Sequence, residues 1–136
     1  MTCRIIHSLT EIAGGYQALL VDLWGCYHNG ITPYPAAMRA LAAYRAQGGI
    51  VILLTNAPRP AYSVQKFLDR IGADPSSYDG IMSSGAACRR AIRHGEYGDR
   101  FHYVGPPRDL QSPCRSRRRR VAGRVSFCRT GVARSK

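Results

Sequence analysis

The sequence predicts an α/β domain built on a parallel, doubly wound sheet. Three observations carry that prediction. Two short apolar runs, residues 18–22 and 50–54, flank a stretch in which Ala37, Met38, Leu41 and Tyr44 recur at helical spacing. Each run stops abruptly at polar residues and turn signals, as buried strands of parallel sheets do. The order strand, helix, strand is then that of a βαβ unit, whose strands run parallel through a right-handed crossover.

The elements follow in chain order. Ser8-Leu-Thr-Glu11 has capping-box spacing, which predicts a short helix closed by Gly14 and Gly15. The first strand covers residues 18–22, and a Gly-bearing loop from Gly25 to Gly30 follows it. Thr32, Pro33 and Pro35 suit a helix start, and Gly48-Gly49 ends that helix. Ile50-Val-Ile-Leu-Leu54 is rich in β-branched residues and predicts the second strand. Pro60 opens another helix, with Val64, Phe67, Leu68 and Ile71 on one face and Gly72 as its stop. Asp74-Pro-Ser-Ser77 predicts a turn. A third strand is expected over residues 78–82, then a helix capped by Ser83 or Ser84 that runs through Ile92 and stops at Gly95. Phe101-His-Tyr-Val104 alternates as a fourth strand would, before Gly105-Pro-Pro107 breaks it.

Composition narrows the function classes. A chain of 136 residues is long enough for one modest domain with a core. The net charge of +12 is unevenly spread. Residues 1–109 carry 11 Lys and Arg against 8 Asp and Glu, whereas residues 110–136 carry 9 with no acid. The basicity therefore belongs to the end of the chain. The five cysteines include no C-x-x-C pair, which fits free thiols in a reducing cytoplasm better than a disulfide framework or a zinc site. No run approaches the roughly 20 apolar residues of a membrane span. No N-terminal apolar segment reads as a signal peptide.

The strand ends hold the candidate site. In parallel sheets ligands sit beyond the carboxyl ends of the strands. Asp22 ends the first strand, and Thr55, Asn56 and Arg59 follow the second. One sheet edge then presents a carboxylate, a hydroxyl, an amide and a guanidinium. Those are the groups that phosphate chemistry uses: a nucleophile or metal ligand, and donors for phosphoryl oxygens. Each residue taken alone has a plainer alternative. Asp22 could cap the next turn, and Thr55 and Asn56 the next helix.

Three segments in this order, LLVDLWGCYHNG, VILLTNAPRP and YDGIMSSGAA, resemble the haloacid dehalogenase superfamily. Within it they are similar to subfamily IIA, the NagD-type and nitrophenylphosphatase-like hydrolases, over about residues 5–109. The resemblance implies a Rossmann-like core and a phosphatase-type hydrolase acting on a small phosphorylated substrate through an aspartyl-phosphate. It further implies Asp22 as nucleophile and Mg²⁺ ligand, the backbone carbonyl of Trp24 as a second Mg²⁺ ligand, and Thr55 as a phosphate donor. From the edge chemistry rather than the resemblance, Asn56 and Arg59 are expected to join Thr55 in substrate binding.

The chain departs from the family pattern in two ways. Trp24 stands where most of the superfamily has a second Asp, and an indole cannot move a proton at neutral pH. The charge-offsetting Lys and the late acidic pair of the family have no counterpart, since the lysines are Lys66 and Lys136 and no acid follows Asp109. The expectation is thus an N-terminal part of the core over residues 1–110, with a cap beginning near 101 and reduced or no activity. Residues 111–136 are expected to be a disordered basic tail. Its loss of all acids and of both structural periods reads as a shifted frame of GC-rich coding. The alternative function is a non-catalytic anion-binding or nucleic-acid-binding protein that uses the Arg-rich tail.

Overall fold

The structure, a computed structural model, describes residues 5–96. The expected strand at 101–104, the cap and the basic tail lie outside these residues. The described elements are α1 (Thr10–Ala13), β1 (Ala18–Asp22), α2 (Pro35–Ala46), β2 (Ile50–Thr55), α3 (Ala61–Arg70), β3 (Gly80–Ser83) and α4 (Ser84–His94). A short 3₁₀ turn over Pro75–Ser77 precedes β3. The sheet has the order β1-β2-β3 with both pairings parallel.

Local chemistry sets most boundaries. Ser8 and Glu11 split the capping-box duty: the Glu11 carboxylate accepts the Ser8 N–H at 3.0 Å, and the Ser8 hydroxyl accepts the Thr10 N–H at 3.3 Å. Pro35 sits in the first turn of α2, where a missing N–H costs nothing. Asp74 caps the 3₁₀ turn by accepting the Ser76 N–H at 2.8 Å. Ser83 caps α4 by accepting the Ala86 N–H at 3.1 Å, and Gly95 closes that helix in the left-handed conformation. The third strand begins later than the sequence predicts. Asp79 is spent as an anchor instead: its N–H donates to the Val51 carbonyl, and its carboxylate accepts the Val51 N–H and pairs with Arg45. Ladder pairing then starts at Gly80, opposite Ile52.

The pleat divides the sheet into two faces. Val51 and Leu53 of β2 point into the core, where they meet Leu41 and Tyr44 of α2 and Val64 and Leu68 of α3. Burying each such aliphatic side chain contributes about 1.5–3 kcal/mol. The opposite face carries Leu20, Ile50 and Met82, all exposed, with Leu20 at 68%. Among the described residues no helix is long and apolar enough to cross a membrane. Cys26 and Cys88 are free thiols.

Candidate functional site

Parallel pairing brings the strand ends to one edge. Asp22 lies opposite Leu54, and Thr55 lies opposite Ser83. Thr55 is thus one register step beyond Asp22 and, by strand alternation, on the other side of the pleat. Asp22 is exposed, and its Oδ1 accepts the N–H of Leu23 at 2.9 Å. No hydrogen bond among the described residues occupies its Oδ2.

A cavity of about 270 Å³ opens beside this edge. Thr55, Asn56, Arg59 and Ser63 form its polar wall, and Leu23, Trp24, Val64 and Phe67 its apolar wall. The structure thereby gathers Trp24, Thr55, Asn56 and Arg59 around one space, while Asp22 stands next to it rather than in its lining. The Thr55 oxygen accepts the Ala57 N–H at 3.2 Å, so the capping alternative holds for its acceptor side. Its hydroxyl hydrogen remains available to donate.

The loop carrying Asn56 and Arg59 is pinned from the next strand–helix junction. The Ser83 hydroxyl donates to the Arg59 carbonyl at 2.6 Å, and the Gly85 N–H donates to the Ala57 carbonyl at 3.1 Å. A Cβ on Gly85 would fall 2.2 Å from the Pro58 carbonyl oxygen, so only glycine lets α4 start this close. Ser83 and Gly85 of SSGAA therefore hold the loop that carries Asn56 and Arg59 in place.

The loop after β1 folds on itself. The Leu23 carbonyl accepts from both Tyr27 and His28, and the Gly25 N–H donates to the His28 carbonyl. Tyr27 is fully buried; its hydroxyl meets Ser77 Oγ at 2.7 Å, and Ser77 Oγ in turn donates to the Asp74 carbonyl at 2.6 Å. Burial pushes the Tyr27 phenol up, so it stays a neutral donor to Ser77. His28 is only 4% exposed and lines the cavity. Its ring stands edge-on to Trp24, with centroids 5.8 Å apart, and lies 5.3 Å from Phe67. Burial pushes its imidazole below the ordinary histidine value, against a smaller upward pull from Asp22.

Comparison with known proteins decides the family. Residues 19–115 match the family described as haloacid dehalogenase-like hydrolase. The chain belongs to that family. A crystal structure of a haloacid dehalogenase-like hydrolase from Brucella suis 1330 is similar to it, with 33% sequence identity and a TM-score of 0.70. That likeness covers 79% of this chain and 39% of the Brucella protein's chain, so the present chain spans well under half of that hydrolase's length. No curated protein matches it.

Haloacid dehalogenase-like hydrolases generally use Mg²⁺. The donor chemistry here suits such a hard cation, which takes one or two carboxylates, carbonyl oxygens, substrate phosphate and water. Asp22 supplies a carboxylate with one oxygen unengaged by the described residues. Beyond it no cluster of three or more His, Cys, Asp or Glu side chains converges among those residues. Sequence reasoning missed His28, Ser63 and Phe67 as cavity residues and Ser83 as the clamp on Arg59. The helical spacing of Phe67 pointed only to the core. His28 had a visible signal, a histidine between a strand-end carboxylate and a glycine, but its burial depends on α3 packing over it.

Proposed function

We propose that this hydrolase transfers the phosphoryl group of a small phosphorylated substrate to Asp22. The observation that carries this reading is the convergence at one sheet edge of an exposed strand-end carboxylate and a cavity lined by Thr55, Asn56 and Arg59. In the first step an Asp22 carboxylate oxygen attacks phosphorus, and the bond to the leaving-group oxygen breaks with its electron pair. Water then attacks phosphorus, releases inorganic phosphate and restores the carboxylate. The Thr55 hydroxyl, the Asn56 amide and the Arg59 guanidinium donate to the phosphoryl oxygens, where charge accumulates during transfer. Asp22 and the Trp24 carbonyl would hold Mg²⁺, whose chemistry is to offset phosphoryl charge.

Turnover is expected to be slow. No carboxylic acid lines the cavity among the described residues, so leaving-group departure has no neighbouring carboxyl proton donor. Lys66, the lysine of the described segment, is exposed on α3. Phosphate release from a phosphate monoester should be detectable with Mg²⁺ in excess and lost in Asp22→Asn. Release that persists undiminished in Asp22→Asn would remove Asp22 from its role.

A further inference from the structure

Among the described residues the buried polar side chains are His28, Ser77 and Ser83, and of these His28 alone lines the cavity. Its hydrogen bonding fixes which nitrogen carries the proton. Nδ1 accepts the Gly30 N–H at 2.9 Å, so a neutral ring bears its hydrogen on Nε2. No described residue accepts from Nε2. Among these residues the buried side-chain nitrogen or oxygen left without a partner is Arg45 Nε, so Nε2 of His28 is reached by solvent rather than sealed. The ring cannot turn freely, because Trp24 and Phe67 flank it and Gly30 holds its other nitrogen.

We infer that His28 is a further phosphate-binding residue, whose Nε2–H donates to an oxygen of the phosphoryl group held by Thr55, Asn56 and Arg59. This inference rests on the phosphate-handling reading of the site. It adds a fixed, neutral donor to the cavity. A donor held in place before the ligand arrives loses little freedom on binding, which is why prepositioned groups are effective at oxyanion sites. The packing around the ring has a purpose under this assignment. Trp24 and Phe67 clamp the imidazole, and Gly30 sets its tautomer.

Two amide variants separate this role from a purely structural one. In His28→Gln the side-chain amide N–H can reach the place of Nε2–H. In His28→Asn the amide oxygen can replace Nδ1 as acceptor for Gly30, but no donor reaches the cavity. Affinity of the full chain for inorganic phosphate and for vanadate, with Mg²⁺ present, is measured by calorimetry alongside thermal unfolding. The expected result is binding within about threefold of wild type for His28→Gln, and a loss of about tenfold or more for His28→Asn. Tenfold corresponds to about 1.4 kcal/mol. Equal or tighter binding by folded His28→Asn than by His28→Gln overturns the assignment, while wild-type phosphate binding leaves the proposed function standing. If the wild-type chain binds neither anion, the proposed function falls and His28 falls with it. Should either amide variant fail to fold, His28→Ala with and without added imidazole gives the same decision: restored anion affinity supports the donor role, and no loss on truncation refutes it.

Discussion

Replacing Gly30 by alanine tests how the loop after β1 is held. Gly30 has φ of +89°, and a Cβ there would meet Trp24 Cζ3 at 2.6 Å and Cη2 at 2.8 Å. Two costs follow. A side chain in a left-handed conformation costs roughly 1–2 kcal/mol. The added methyl also evicts the indole from the backbone it rests on. Trp24 is 68% exposed, so about a third of its surface is covered. Tryptophan can bury up to about 250 Å², and about 25 cal/mol per Å² makes that covered third worth roughly 1–2 kcal/mol. Gly30→Ala should therefore destabilise the chain by about 2–4 kcal/mol in urea unfolding followed by circular dichroism. In a Trp24→Ala background the steric part vanishes, and the cost should fall to about 1–2 kcal/mol for the backbone alone. Since Trp24 is the sole tryptophan, its emission reports the displacement directly in the single variant. An equal cost of Gly30→Ala in both backgrounds, with unchanged emission, would refute the contact.

Four further outcomes follow from packing and burial. Leu53→Ala should cost about 2–5 kcal/mol, since Leu53 is fully buried between the sheet and its helices. Leu20→Ala should cost less than about 0.5 kcal/mol, because Leu20 lies on the open face; equal costs in urea unfolding would invalidate the assignment of faces. Ser83→Ala should cost about 0.5–2 kcal/mol through loss of the α4 cap, and should also weaken phosphate binding by freeing the Arg59 carbonyl from its clamp. Calorimetric affinity unchanged from wild type would separate the cap from the site. His28 titrates lower in the folded chain than in the unfolded one, so its stability contribution is complete above about pH 6.5 and declines as pH falls toward the folded value. Urea midpoints measured between about pH 7.5 and 5.5 should fall, and the fall should flatten in His28→Gln, which does not titrate.

The strands and helices were legible because their boundaries rest on local chemistry. β1 has the expected limits, and the proline and glycine stops of α2 and α3 lie where φ-restricted and φ-permissive residues put them. The start of β3 was not legible, because Asp79 looks like a strand residue until its carboxylate is seen bonded to Val51 and Arg45. Thr55, Asn56 and Arg59 could be placed at one edge from the parallel βαβ pattern alone. The pleat that sets Asp22 on the other side from Thr55 follows from register, which the sequence does not state. His28 stood out only as a histidine between Asp22 and Gly30, and its place in the cavity wall was not legible for a similar reason. Its environment is made by α3, whose Val64 and Phe67 read as ordinary core positions.

The most direct test of Asp22 as nucleophile is to look for the phosphoryl group on it. The full chain is mixed with Mg²⁺ and a phosphate monoester, quenched in acid, digested and mapped by mass spectrometry. A phosphoryl group on the peptide spanning Asp22, removed by hydroxylamine and absent in Asp22→Asn, is the predicted result. A phosphoryl group on any other residue, or hydrolysis that proceeds without Asp22 becoming modified, would contradict it.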